Sequence, residues 1–209
     1  MREEPLAPGD VSSVPETEGH FVPAERDPRT SFADQRQHAK PLGGFRQVDN
    51  GVIIGVDIGV TGVLALLTPD GSLVDVFDMP SLDDGLAGRR SINAAQLAEI
   101  VAKSQATQAF VETVDPRPGE GAVAAFAFGR ARGVVEGVLA ALDVSITFLT
   151  PPAWKRIVGI APGLDGAKDA ARSLPIQRWP GQGRFALKKN DGRAEAALIA
   201  LAGIKRGEQ

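Results

Sequence analysis

The feature that most constrains the fold is a set of three short strand-like runs that follow one another closely after residue 50. The runs cover residues 52–57, 62–68 and 72–78 and are rich in Val, Ile and Leu. Four residues separate the first two runs, and a Pro-Asp-Gly turn signal at 69–71 separates the second from the third. Because connections this short join only antiparallel strands, we expect a three-stranded antiparallel meander.

Two more strands, at 108–113 and 145–149, each follow a helical pattern. A loop rich in Gly, Asp and Arg is expected over 81–90. The first helix follows it and is marked by Ile92, Leu97, Ile100 and Val101 at helical spacing, with Asn93 or Ser91 as its cap; a long helix is expected over 122–142. A strand, helix, strand succession implies a parallel crossover. The pattern therefore predicts an α/β fold: a mixed five-stranded sheet in the order 3-2-1-4-5, with strand 2 antiparallel and helices on its flanks, which is the ribonuclease-H-like topology.

The two ends of the chain differ in pattern. Residues 1–50 are dominated by Pro, charged and polar residues without an apolar period, which predicts a disordered N-terminal tail. Three further helices are expected at the other end, the first short and beginning at Trp154, the next over 166–174 and the last over 191–202. We therefore expect one folded domain over 51–209, without internal repeats.

Composition excludes several kinds of active site. The chain has no Cys and no Tyr, and its two histidines, His20 and His38, lie in the predicted tail. Cys/His zinc sites, Ser-His-Asp triads and thiol or phenol nucleophiles are thus excluded from the domain. Carboxylates remain, and their natural partner is a hard cation such as Mg²⁺. Without a run of roughly 20 apolar residues or a signal peptide, the protein is expected to be soluble and cytoplasmic, with no membrane partner.

Two acidic residues end strands that otherwise suit burial. Asp57 ends the first predicted strand and Glu112 lies at the end of the fourth, where an unpaired charge is costly. Asp191 and Glu195 are four residues apart and share one face of the last helix. If the two strands are parallel neighbours, four carboxylates converge, and two Mg²⁺ ions would relieve their repulsion. The alternatives are a turn-forming role for Asp57, a helix cap at Asp191 and an ion pair of Glu195 with Arg193.

The long helix has a stripe of small residues at every fourth position. The stripe comprises Ala125, Gly129, Gly133, Gly137 and Ala141. Each Gly costs a helix about 0.8–1 kcal/mol relative to Ala, so the repetition indicates a function. Close packing on the sheet is favoured, and a dimer interface is the alternative. Phe126 and Phe128 are expected in the core rather than stacked on an unpaired base, and Trp154 is expected to be a packing anchor.

Six motifs, in this order and spacing, resemble the RuvC-type Holliday junction resolvases, in particular the branch found in phages and prophages. The resemblance extends from Ile54 to about Gly203. Its motifs are Gly-Val-Asp-Ile-Gly at 55–59 with Gly62, Val-Glu at 111–112, Pro-Gly-Glu-Gly at 118–121 leading into Phe-Ala-Phe-Gly at 126–129, Thr-Pro-Pro-Ala-Trp-Lys at 150–155, Lys-Asp-Ala-Ala-Arg at 168–172, and the segment 191–200.

This resemblance implies a homodimeric, magnesium-dependent endonuclease of DNA recombination and repair that nicks four-way junctions symmetrically. If the metal ligands of that family are assigned to the matching positions of this chain, two Mg²⁺ ions would be bound by Asp57, Glu112, Asp191 and Glu195, with Mn²⁺ able to substitute. Related sequences often have Asp-His where this chain has Asn190-Asp191, which leaves Asn190 or Asp191 as the third ligand. Many relatives have Asp where this chain has Glu195. The branch implies the cytoplasm of a bacterium or a phage-infected host.

The distribution of charge fits a branched-DNA partner. The net charge of −3 combines an acidic segment 51–116, with 3 basic and 9 acidic residues, and a basic segment 117–209, with 14 basic and 8 acidic residues. Basic side chains supply phosphate contacts. The candidates for DNA contact are Lys155, Arg156, Lys168, Arg172, Lys188, Lys189 and Arg193.

Two other functions are compatible with parts of the sequence. The segment 55–59, followed by Thr61-Gly62, also resembles the first phosphate-binding turn of actin-like ATPases and sugar kinases. Those proteins need a second such domain, for which the 159 residues after the tail leave no room. The other alternative is a catalytically inactive relative that binds branched DNA.

Overall fold

The computed structural model describes the greater part of the predicted domain. The described residues are 51–84, 88–113, 119, 121–160, 167–180, 183–185 and 191–207. The predicted tail at 1–50 lies outside them. The strands, in chain order, are β1 (Val52–Asp57), β2 (Val63–Leu67), β3 (Leu73–Asp78), β4 (Ser81–Asp83), β5 (Arg90–Ile92), β6 (Ala106–Glu112) and β7 (Ser145–Leu149). The helices are α1 (Ala94–Ser104), α2 (Ala122–Ala141), α3 (Pro151–Ile157), α4 (Ala167–Arg178) and α5 (Asp191–Gly207).

A mixed five-stranded sheet has the order β3-β2-β1-β6-β7. The pairs β1–β2 and β2–β3 are antiparallel, whereas β1–β6 and β6–β7 are parallel. The predicted order 3-2-1-4-5 is therefore confirmed, with β6 and β7 as its fourth and fifth strands. Short turns force the antiparallel meander, and the α1 and α2 connections permit the parallel pairs.

The predicted loop at 81–90 is wrong in part, because β4 and β5 pair there as a small antiparallel ribbon. Ile92 belongs to β5 rather than to the following helix. That helix begins after Asn93, whose side chain accepts a hydrogen bond from the backbone N–H of Gln96. Of the two predicted caps, Asn93 is thus the one used.

Three predicted helix boundaries also needed correction. Helix α3 begins at Pro151 rather than Trp154, since prolines suit the first helical turn, where backbone N–H groups have no intrahelical partner. Helix α4 continues through Pro175 to Arg178, and α5 extends to Gly207.

Helix α5 lies in the core against one face of the sheet, and its residues 196–203 are all buried. Gly55 makes this packing possible. A Cβ at position 55 would lie 2.0 Å from the carbonyl oxygen of Ala196, so any side chain there would push the helix off β1. Close packing of α5 on β1 brings the first turn of the helix to the end of that strand.

Helix α2 packs on the opposite face of the sheet through Ala131, Val135 and Leu139, which are buried. The small-residue stripe does not face the sheet. Gly129, Gly133 and Gly137 are exposed, and a Cβ at each would have no neighbour within 4 Å. The expectation that this stripe packs on the sheet is therefore wrong.

Phe126 is also placed differently from the prediction, because 74% of its surface is exposed rather than buried in the core. Phe128 is half-buried and packs against the α2 side of the core, as predicted. Trp154 is fully buried, which confirms it as a packing anchor. No helix in the described part of the chain is long and apolar enough to cross a membrane.

Candidate active site

The carboxyl ends of β1 and β6 bring two acidic side chains to one edge of the sheet. The strands are parallel neighbours, with Val56 opposite Val111, and each is followed directly by an acid, Asp57 and Glu112. Val56 and Val111 both face the α2 side of the core. Because side chains alternate along a strand, Asp57 and Glu112 both point to the α5 side. The predicted pairing of these two acids at one sheet edge is therefore present.

Asp57 is the most strongly perturbed acid in the described part of the chain. Burial is the largest cause, and the charges of Glu112 and Glu195 add to it, so that its pKa rises from 3.8 to about 7. Both neighbours act as like charges on a carboxylate that has already lost much of its water. Three acids, from two strands and one helix, thus act on one another where Asp57 is buried away from water.

The first turn of α5 lies directly over Asp57. A Cβ on Gly192 would lie 2.9 Å from Oδ2 of Asp57, so glycine is required for this close approach. Glu195, one turn further along the helix, is the residue of α5 whose charge raises the Asp57 pKa. Gly192 was not singled out from the sequence, because its importance depends on how α5 packs on β1.

Asp191 is held differently from the other three predicted ligands. Its Oδ1 accepts a hydrogen bond of 3.0 Å from Nε of Arg172 on α4, and Nη2 of the same guanidinium forms an ion pair with it, also at 3.0 Å. Arg172 lies 3.4 Å from Asp169 as well. The structure therefore brings together Asp57, Glu112 and Glu195, and it pairs the fourth acid with a residue that the sequence suggested for DNA contact.

Glu112 has a specific partner in the core. The indole Nε1 of Trp154 donates a hydrogen bond of 2.8 Å to its Oε1. A buried indole N–H needs an acceptor, and here the acceptor is a carboxylate. The sequence identified Trp154 only as a packing residue. A buried indole N–H needs an acceptor, and this need is the feature from which a polar partner of Trp154 could have been predicted.

These contacts determine what the acids can bind in this conformation. In the described ranges, no three acidic side chains stand in a geometry that would hold one metal ion. Asp191 is engaged by Arg172, which accounts for its separation from the other three acids of the predicted cluster. The donor set itself, carboxylate oxygens with a desolvated Asp57 among them, is the kind that hard divalent cations prefer.

Two other candidates for DNA contact are engaged within the domain. Arg193 makes a two-point ion pair with Asp78 on β3, with distances of 2.8 and 2.6 Å. The ammonium group of Lys155 lies 5.1 Å from the centroid of the Trp154 ring. Arg156 is exposed. The Lys168 side chain and residues Lys188 and Lys189 lie outside the described part of the chain.

Comparison with known proteins gives two informative relatives. The chloroplastic Holliday junction resolvase MOC1 of Chlamydomonas reinhardtii is 33% identical over 121 residues, which is 55% of this chain and 14% of that protein. The structure of T. thermophilus RuvC in complex with a Holliday junction substrate superposes with a TM-score of 0.54 at 18% identity, over 76% of this chain and 95% of that one.

The chain is similar to MOC1 over this segment and has the RuvC fold. It spans only a small part of MOC1, so the activity of the whole algal protein is not transferred by this match alone. The yeast mitochondrial Holliday junction resolvase Ydc2 matches over 75% of this chain and 80% of its own, with 11% identity and a TM-score of 0.47, too low to support an argument. No protein-family model matches the sequence. The phage or prophage branch stays a prediction.

Within the RuvC fold, the acids lie where β1, β6 and α5 meet. Asp57 and Glu112 come from neighbouring parallel strands, and α5 supplies Glu195 from one turn past its start. Sites in sheets of this kind are usual at the carboxyl ends of the strands. The roles of Asp57, Glu112, Asp191 and Glu195 as metal ligands stay predictions.

Proposed function

We propose that this protein is a divalent-metal-dependent endonuclease that nicks four-way or otherwise branched DNA junctions as a homodimer. The single observation that supports this most strongly is the burial of Asp57 beside Glu112 and Glu195: burial first, and then the two like charges, raise its pKa to about 7. A fold maintains such a costly group of like charges where it serves a function. The relatives named above are resolvases, and one was solved with a junction substrate.

The proposed ligands are Asp57, Glu112 and Glu195, and Asp191 joins them if its pair with Arg172 opens. Mg²⁺ is the expected metal, as two ions, with Mn²⁺ able to substitute. When bound, such ions activate a water molecule and stabilise the leaving oxygen of a phosphodiester. The protein residues orient the site: β1 and β6 fix two carboxylates side by side, and α5 adds the third.

Phosphate contacts are proposed for the basic residues near the acids. Lys155 and Arg156 follow Trp154 on α3, so they extend from the element that contacts Glu112. Arg172 lies on the same side through its pair with Asp191. A phosphate that competed for Arg172 would release Asp191 toward the other acids. Lys168, Lys188, Lys189 and Arg193 remain candidates from the sequence.

The homodimer is proposed to form through the exposed face of α2. This face combines Gly129, Gly133 and Gly137, which leave open space, with the exposed ring of Phe126. An apolar helical face without a partner in its own domain is typical of an interaction surface. A two-fold dimer would present two equivalent sites to a junction with two-fold symmetry, so that both strands are nicked.

Sedimentation tests this dimer directly. Gly133→Glu is expected to shift the wild-type dimer to monomer, because it places a charge in the interface. Gly207→Glu is the matched control, since position 207 is also a helical glycine with open space around its Cβ. A dimer that persists in Gly133→Glu would place the interface elsewhere.

Cleavage of a synthetic four-way junction tests the enzymatic proposal. Wild-type protein in Mg²⁺ should nick the junction and leave a linear duplex of the same sequence intact. Asp57→Asn and Glu112→Gln should bind the junction without nicking it. Wild-type protein that binds but never cleaves in Mg²⁺ or Mn²⁺ would instead indicate an inactive junction-binding relative.

A further inference from the structure

The contact between Trp154 and Glu112 differs from that of the other tryptophan in the chain. The two indoles are both buried, and both donate one hydrogen bond of similar length: Trp154 to Glu112 Oε1 at 2.8 Å and Trp179 to the carbonyl oxygen of Gly71 at 3.0 Å. A backbone carbonyl is sufficient to satisfy an indole N–H. The use of a carboxylate at Trp154 therefore needs its own explanation.

The local chain holds Trp154 firmly against the end of β6. Leu149 on β7 is the register partner of Glu112, and the helix that contains Trp154 begins two residues later. Within it, the backbone N–H of Trp154 bonds to the carbonyl oxygen of Thr150 at 3.1 Å. The indole is 0% exposed. The donor is thus fixed by the sheet register, the helix start and the core together.

A fixed donor restricts the orientation of the carboxylate. A hydrogen bond to an ionised oxygen is shorter and stronger than one between neutral groups. It engages Oε1 of Glu112 and leaves Oε2 without that constraint, in a carboxylate whose charge acts on Asp57. Partners of this kind around metal ligands set ligand orientation, and their loss typically lowers metal affinity about 10–100-fold.

We propose that Trp154 is a positioning residue for the metal site: its indole N–H fixes Oε1 of Glu112, so that Oε2 would be available to a metal ion held together with Asp57. Because its side chain is fully buried, we expect Trp154 to act through Glu112 rather than by direct contact with metal or DNA. This inference rests on the proposed function, because it assigns Glu112 as a metal ligand.

Calorimetric titration of the full chain with Mn²⁺ alone tests the role. Trp154→Phe keeps an aromatic ring in the core but removes the N–H donor together with part of the buried ring volume. We expect its apparent Kd for Mn²⁺ to rise about 10–100-fold. Trp179→Phe is the matched control, since it also deletes one buried indole donor, and its Kd should stay within about twofold of the wild type. Equal weakening in both variants, or none in Trp154→Phe, would overturn the inference.

A second measurement needs no variant at Trp154. The chain has two tryptophans, so a proton–nitrogen correlation spectrum contains two indole N–H signals, which Trp179→Phe assigns. Titration of the wild type with Mg²⁺ should shift the Trp154 signal and leave the Trp179 signal in place. A Trp154 signal that does not move while calorimetry detects binding would also overturn the role.

The two proposals fail separately in these experiments. If Trp154→Phe loses Mn²⁺ affinity but wild-type protein does not nick junctions, the proposed function is wrong and the positioning role stands. If the wild type nicks junctions in Mg²⁺ and Trp154→Phe binds Mn²⁺ as tightly as the wild type, the positioning role is wrong and the function stands.

Discussion

Replacement of Asp57 by Asn is expected to stabilise the metal-free protein at high pH. Burial and the charges of Glu112 and Glu195 raise the pKa of Asp57 from 3.8 to about 7 in the folded state. The folded-state pKa therefore exceeds the unfolded one. For such a carboxyl, the free energy of unfolding falls as pH rises above about 4, and the loss is complete above about 7. Asparagine has nearly the same shape and no charge to desolvate, so it avoids this loss.

The size of the effect follows from the two pKa values. At 1.36 kcal/mol per pKa unit, a rise from 3.8 to about 7 costs the wild type about 4 kcal/mol at pH 8 and about 1 kcal/mol at pH 4.5. Local relaxation and water entry reduce the cost, so about 4 kcal/mol is its upper value. Most of the stabilisation of Asp57→Asn relative to the wild type should thus appear as the pH rises from 4.5 to 8.

Urea denaturation in EDTA at pH 4.5 and pH 8 measures this difference. Asp70→Asn is the control, because the Asp70 pKa is shifted in the opposite direction: hydrogen bonds from Thr68 and Ser72 lower it. This variant should not be stabilised. Added Mg²⁺ should reverse the order of wild type and Asp57→Asn, because only the wild type retains the full ligand set. Equal stability of wild type and Asp57→Asn at pH 8 would refute the electrostatic argument, as would a gain that does not depend on pH.

Glycine substitutions test the packing that builds the site. Gly55→Ala should destabilise the protein by about 3 kcal/mol, because its Cβ would lie 2.0 Å from the carbonyl oxygen of Ala196. Thermal melts compare the variant with the wild type, and a tolerated Gly55→Ala would contradict the described packing of α5. Gly192→Ala should fold but lower the rate of junction nicking at least about tenfold, because its Cβ would press on Oδ2 of Asp57 at 2.9 Å. Wild-type nicking by Gly192→Ala would show that α5 does not position Asp57.

The parts of the fold that depend on local pattern were predictable from the sequence. The five-strand order follows from turn lengths and from the helices between later strands, and the pairing of Asp57 with Glu112 follows from that order. The β4–β5 ribbon was missed because its Gly, Asp and Arg residues have the composition of a loop.

The contacts that depend on how helices pack were not predictable. Asp191 and Arg172 lie on different helices, and their ion pair exists only because α4 rests beside the start of α5. The stripe on α2 has a clear period, but a period does not state which face meets the sheet. The exposure of Phe126 was missed for the same reason, because the sequence pattern does not give the face of α2 that packs on the sheet.

The metal site itself is the centre of this account, and crystals soaked in Mn²⁺ test it most directly. Anomalous scattering should place Mn²⁺ among the carboxylates of Asp57, Glu112 and Glu195, with Oε1 of Glu112 still hydrogen-bonded to Trp154. The same crystals of Asp57→Asn should lose most of that density. Mn²⁺ bound elsewhere, or no Mn²⁺ at these acids at concentrations that support nicking in solution, would contradict the assignment of the site.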